Sequence, residues 1–97
     1  MPTYITLANW TDQGIRDVKG IPKRMDAARR MMKDAGAELK AIYMTMGAYD
    51  IVTVVEAPND QTVAKLLLSI GGMGNVRTTT LRAFNEGELQ SIIGSLA

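Results

Sequence analysis

The sequence predicts an α+β fold, a four-stranded antiparallel sheet with two helices on one face and an extra C-terminal helix. Three observations carry this. Runs rich in β-branched residues alternate with stretches of helical periodicity, in the order strand, helix, strand, strand, helix, strand, helix. Only Gly47-Ala48-Tyr49 separates the second strand from the third, which reads as a hairpin. The chain therefore divides into two β–α–β halves, 3–46 and 50–84, the split βαβ or ferredoxin-like βαββαβ arrangement.

Each element has a local cause. Residues 3–10 mix β-branched, aromatic and apolar side chains and form the first strand. Thr11-Asp12-Gln13-Gly14 interrupts it, and Ile15 and Val18 share a short helical turn that Gly20 and Pro22 stop. Pro22 opens the first main helix, 22–35, where a missing N–H costs nothing. Met25, Ala28, Met32 and Ala35 recur on its apolar face, Asp26 and Arg30 form an i,i+4 pair, and Gly36 ends it in a left-handed turn. Strands follow at 38–46 and 50–57, and Pro58 closes the second of these. Asn59 or Asp60 caps a helix whose buried stripe is Val63, Leu66, Leu67 and Ile70, ended by Gly71-Gly72-Met73-Gly74. Residues 75–84 are the fourth strand. Leu89, Ile92, Ile93 and Leu96 mark a short amphipathic helix that starts near Asn85 or Glu86.

Length and composition bound the function. Ninety-seven residues make one domain, 1–97, with 46% hydrophobic and 22% charged side chains. A folded monomer of 10.5 kDa should expose about 5,400 Å². Eleven basic against ten acidic residues argue against nucleic acid or membrane as a partner held by bulk charge. The chain has neither Cys nor His, so disulfides, thiolate nucleophiles, the usual zinc sites and histidine acid–base chemistry are excluded. No cofactor and no metal is expected. The N-terminus lacks the features of a secretory signal, and no apolar run is long enough to span a membrane. A cytoplasmic location is the expectation.

The strands are apolar on both sides. Ile5 and Leu7 oppose Tyr4, Ala8 and Trp10; Val52 and Val54 oppose Ile51, Val55 and Ala57; Leu39, Ala41 and Tyr43 oppose Ile42, Met44 and Met46. Helices cover one face only. The other face spans about 500 Å², as large as the biggest apolar patch on a typical monomer. Its cheapest cover is a second copy, giving a homodimer or a higher oligomer. The alternative cover is the chain's own C-terminal helix.

Gly47-Ala48-Tyr49-Asp50 resembles the signature of the GYD-domain family, small bacterial and archaeal proteins of largely unknown function. The stretches Thr11-Asp12-Gln13-Gly14-Ile15 and Gly74-Asn75-Val76-Arg77-Thr78-Thr79-Thr80-Leu81-Arg82-Ala83-Phe84 also resemble that family, so that the likeness runs from about 3 to 90. It implies a fold of the dimeric α+β barrel type, whose members include small monooxygenases, isomerases and ligand-sensing domains.

The candidate ligand-binding residues are Tyr49, Asp50, Arg77, Arg82, Trp10 and Gln13. A phenol beside a carboxylate at a sheet rim can accept a proton or hold a polar ligand, and the same pair also serves a hairpin by bonding local backbone. Arg77 and Arg82 are five apart on a strand and face opposite ways, so each acts singly, on an anionic ligand or on Asp50, Glu56 or Asp12. Trp10 and Gln13 either rim a pocket between the sheet and the first helix or anchor the core. Met25, Met31, Met32, Met44, Met46 and Met73 offer an adaptable lining or ordinary core filling. Gly71-x-x-Gly74 lacks the basic flanks of a nucleic-acid clamp, and the strand 50–57 lacks the aromatics of an RNA-recognition sheet. The leading reading is a non-catalytic oligomeric module that binds a small-molecule ligand or a protein partner. A small monooxygenase- or isomerase-like enzyme is the alternative. It requires a pocket of at least about 300 Å³ in which two or more of Tyr49, Asp50, Arg77 and Arg82 converge. A ring-forming structural subunit is the third reading.

Overall fold

β1 (Thr3–Trp10) occupies the middle of the sheet in a computed structural model that describes every residue from Met1 to Ala97. It is followed by a short helix α1 (Asp12–Arg16), a 3-10 turn at Val18–Gly20, and α2 (Ile21–Asp34). Then come β2 (Glu38–Met44), β3 (Ile51–Glu56), α3 (Asp60–Gly71), β4 (Val76–Ala83) and α4 (Glu86–Gly94). The strand order is β2-β3-β1-β4 and every neighbouring pair is antiparallel, the ferredoxin-like α+β fold.

The punctuation residues act as their chemistry dictates. Pro22 lies in the first turn of α2, and Gly36 leaves that helix at a φ of 79°. Asn59 caps α3 by accepting from the Thr62 amide at 2.9 Å. Asn85 and Glu88 form a reciprocal capping box at α4. In α2, Met25, Ala28 and Met32 are half-buried with Met31 beside them, while Ala35 is exposed. Asp26 pairs with Arg29 at 3.5 Å rather than with Arg30. The hairpin is wider than its sequence suggests. Thr45 and Asp50 close it with a backbone bond of 2.8 Å, and the Thr45 hydroxyl donates to the Tyr49 carbonyl at 2.6 Å.

β2 departs from simple alternation. A bulge between Leu39 and Ala41 inserts Lys40 as an extra residue. Leu39 therefore turns to the helix side with Ile42, opposite Val55 and Thr53, while Ala41 and Tyr43 stay on the open face. Lys40 reaches Glu38 at 3.6 Å and Glu56 at 3.9 Å across the bulge.

The core gathers on the helix side, where Tyr4, Ala37, Val55, Ala57, Val63 and Leu66 pack together. Tyr4 is 3% exposed, and its hydroxyl donates to the Asp60 carboxylate at the start of α3. Burial raises the Tyr4 pKa above its usual 10.0, and the Asp60 hydrogen bond and charge raise it further; Arg82, 5.7 Å from the ring centre, opposes them.

The far side of the sheet has no cover. Ile5, Leu7, Val52 and Val54 hold its centre, with Leu81 and Tyr43 exposed beside them. α4 does not fold back over it. Leu89, Ile92, Ile93 and Leu96 are exposed, and the helix is tethered by its capping box and by Arg82 to Glu88 at 3.8 Å. The protomer consequently exposes 6,680 Å², about a quarter more than expected for a monomer of its mass. Its radius of gyration is 14.7 Å, against about 12.5 Å for a domain of this length.

Folding keeps the Tyr4 phenol protonated to higher pH than the unfolded chain does. Its contribution is therefore complete below pH 10 and declines as pH rises past that value. Tyr4→Phe is expected to cost about 1–2 kcal/mol at neutral pH. Urea titrations in neutral and alkaline buffer should show the wild type losing more stability than the variant above pH 10.

Candidate functional site

The C-terminal end of β1 is where distant parts of the chain meet. Thr11 caps α1 through its side chain, which accepts from the Gly14 amide at 3.1 Å. Its hydroxyl donates to the Gly74 carbonyl, and its amide donates to the Asn75 carbonyl at 3.0 Å. The Gln13 amide nitrogen donates to the Met73 carbonyl at 3.0 Å and to Asn75 Oδ1 at 2.9 Å. Gly14 is buried, and a Cβ there would stand 2.0 Å from the Asn75 carbonyl oxygen, which is why that position carries glycine. A clasp thus joins the β1–α1 turn to the α3–β4 turn. From the other side, the Asp50 amide donates to the Ala8 carbonyl at 2.9 Å, and Asp50 Oδ2 accepts from the Trp10 amide at 3.0 Å.

Above this end, between the sheet and α2 and α3, lies a cavity of about 240 Å³. Its walls are mostly apolar and draw on Trp10 and Ile51 from the sheet, Met25 and Met32 from α2, and Leu67 and Ile70 from α3. Thr6, Thr53, Thr78 and Asn75 are polar lining residues. Arg24 is the one charged side chain at the wall. Its guanidinium is occupied by the Gly14 carbonyl at 3.1 Å, the Asp17 carbonyl at 3.0 Å and the Asp17 carboxylate at 3.3 Å.

Of the six residues singled out from sequence, Trp10 lines this cavity. Gln13 is spent on the clasp, and Asp50 holds the end of β1. Tyr49 stands in the hairpin, half-buried. Arg77 is exposed opposite Asn9 and makes no ion pair, whereas Arg82 lies 4.5 Å from the centre of the Phe84 ring, donates to the Thr3 and Ala83 carbonyls and pairs with Glu88. Neither arginine reaches Asp50, Glu56 or Asp12. Tyr49, Asp50, Arg77 and Arg82 do not converge in the cavity, no carboxylate lines it, and its volume falls below the size that the enzyme reading requires. Thr53 and Thr78 are the cavity residues that sequence reasoning missed. The available signal was a polar side chain within the helix-facing set Ile51, Thr53, Val55.

Comparison with known proteins gives four findings. The sequence profile of the GYD domain matches residues 4–93. The glutamine synthetase and cystathionine beta-lyase binding protein of Thermus thermophilus is 37% identical over 90 residues, covering 92% of this chain and 95% of that protein. Among solved structures, the 5-chloro-2-hydroxyhydroquinone dehydrochlorinase of Burkholderia phenoliruptrix superposes with a TM-score of 0.62 at 13% identity, over 90% of this chain and 97% of that one. The leucine response regulatory protein of Mycobacterium tuberculosis superposes with a TM-score of 0.57 at 20% identity, over 87% of this chain and 51% of that one. These two likenesses concern the fold alone.

Gly14→Ala forces the clasp apart, because the new methyl meets backbone rather than a side chain that can swing away. The expected loss is about 1–3 kcal/mol, read as a lower urea midpoint. Gln13→Ala, which only removes side-chain bonds at an exposed position, should cost less than half of that.

Proposed function

The chain belongs to the GYD domain family, and from that premise we propose that it is a homodimeric module that binds a metabolic enzyme. The surplus surface of the isolated protomer carries the dimer reading. About 1,200 Å² beyond the monomer expectation is comparable to what each partner buries in a stable interface, about 800 Å². The open face has the layout of such an interface. Ile5, Leu7, Val52 and Val54 form an apolar centre, with Glu38, Lys40 and Glu56 at one corner and Arg77 with Asn9 at another. The exposed stripe of α4 supplies further apolar area for a second copy.

The Thermus relative, itself a binding protein for two enzymes, supports a protein partner for this chain. With the open face used between copies, the outer surface of α2 is left for the enzyme. α2 carries five of the eleven basic residues, Lys23, Arg24, Arg29, Arg30 and Lys33, against two acidic ones, Asp26 and Asp34. Such a surface suits an acidic patch, with association that weakens as salt rises. Glutamine synthetase from the same organism is the first partner to test.

Light scattering at micromolar concentration should return twice 10.5 kDa. A ring would appear in native mass spectra as a larger closed multiple, and a single-chain mass would refute self-association. Leu7→Glu combined with Val54→Glu buries two charges in the proposed contact and should weaken it at least about 100-fold. Immobilised glutamine synthetase should retain the wild type. Lys23→Glu with Arg30→Glu should reduce that binding at least about tenfold at low salt while leaving the dimer mass unchanged. Equal binding by that variant would rule out α2 as the docking surface.

A further inference from the structure

We propose that the cavity between the sheet and α2 and α3 is a binding site for a small uncharged molecule. The ligand class is an apolar ring or branched chain that carries one hydroxyl or carbonyl group. Size sets the first limit. A cavity of 150 Å³ accommodates benzene, so about 240 Å³ suits a molecule of about ten non-hydrogen atoms.

The wall chemistry sets the second limit. Thr6 and Thr80 use their hydroxyls on each other at 2.9 Å. Thr53 and Thr78, on the same side of the sheet, make no side-chain hydrogen bond within the protein, and neither hydroxyl is sealed from solvent. Each is a hydrogen-bonding group at an otherwise apolar wall, left without a protein partner and open to a guest. Thr53 in β3 and Thr78 in β4 flank β1 on opposite sides, so a guest's single polar group meets one of them, accepting from its hydroxyl or donating to it.

Charge sets the third limit. No acidic side chain and no lysine lines the cavity, and Arg24 already has three oxygen partners. A carboxylate or an amine would enter without a counter-charge. The remaining contacts come from Met25, Met31, Met32 and Met73, whose unbranched thioether chains adjust to the outline of a guest. α2 fits this role, since none of its residues is fully buried against the sheet. The inference is independent of the dimer and of the enzyme partner.

Trp10 is the only tryptophan and stands in the cavity wall, so its fluorescence reports occupancy. The probe is 4-methylcyclohexanol, compared with 4-methylcyclohexanecarboxylate and followed in parallel by amide chemical shifts of the intact protein. The alcohol should give a saturable Trp10 response and shift the amides of Thr53 and Thr78, with the carboxylate at least about 20-fold weaker. Thr53→Val with Thr78→Val should weaken the alcohol about fivefold or more. Ala28→Phe, which places a ring in the cavity, should abolish the response while circular dichroism stays native. No saturable response, shifts confined to the open face, equal affinity for the carboxylate, or unchanged affinity in either variant would overturn the proposal. Should Ala28→Phe fail to fold, the wild-type shift map and the carboxylate comparison still decide.

Discussion

Two helices can shield one face of a four-stranded sheet and no more. In this chain both faces are built from Val, Ile, Leu and Ala, and that surplus of apolar side chains governs the rest of the structure. One set, Tyr4, Val55 and their neighbours, closes on α3 and forms the core. The other set, Ile5, Leu7, Val52 and Val54, is left to the outside. A half-solvated sheet alternates apolar and polar residues, and these positions depart from that alternation. The chain is elongated, 52 by 31 by 18 Å, with this second apolar set on its outer side.

β1 bears the consequences, since it is bonded along both edges. Its far end is held by two independent devices, the Asp50 carboxylate on the Trp10 amide and the Thr11–Asn75 clasp. These devices are built from the three stretches by which the family resemblance was recognised. Their proximity gives those stretches a common physical role, which is fixing the end of the central strand beneath the cavity. Gly14 is part of this role through the space that its missing side chain leaves for the Asn75 carbonyl.

Much of the fold was legible because it depends on local chemistry. Pro22, Gly36, Asn59 and Asn85 each sit where their backbone preference or capping oxygen places them, and the alternation in β1 and β3 assigns their faces correctly. What was not legible depends on neighbours distant in sequence. The bulge at Lys40 is coupled to Glu56 across the sheet, so a strict period of two misassigned Leu39. Arg82 found Glu88 and Phe84, a choice that depends on the direction in which α4 leaves the sheet. Gln13 and Asp50 looked available for ligand because their hydrogen-bond partners lie some 60 and 40 positions away. The cavity is a property of how far α2 stands from the strands, which no pattern of residues encodes directly. Only the odd polar member of an apolar set, Thr53, hinted at it.

The C-terminal helix carries one more implication. Nine residues are too few for a helix to hold itself together in water by propensity alone. The helix has a good cap and one ion pair at its start, and nothing in its own chain to lie against beyond that. Its order in the single chain therefore rests on that cap and that ion pair, with its apolar stripe of Leu89, Ile92, Ile93 and Leu96 left exposed. In the proposed dimer, that stripe would pack against the second copy, and helix content would rise with concentration.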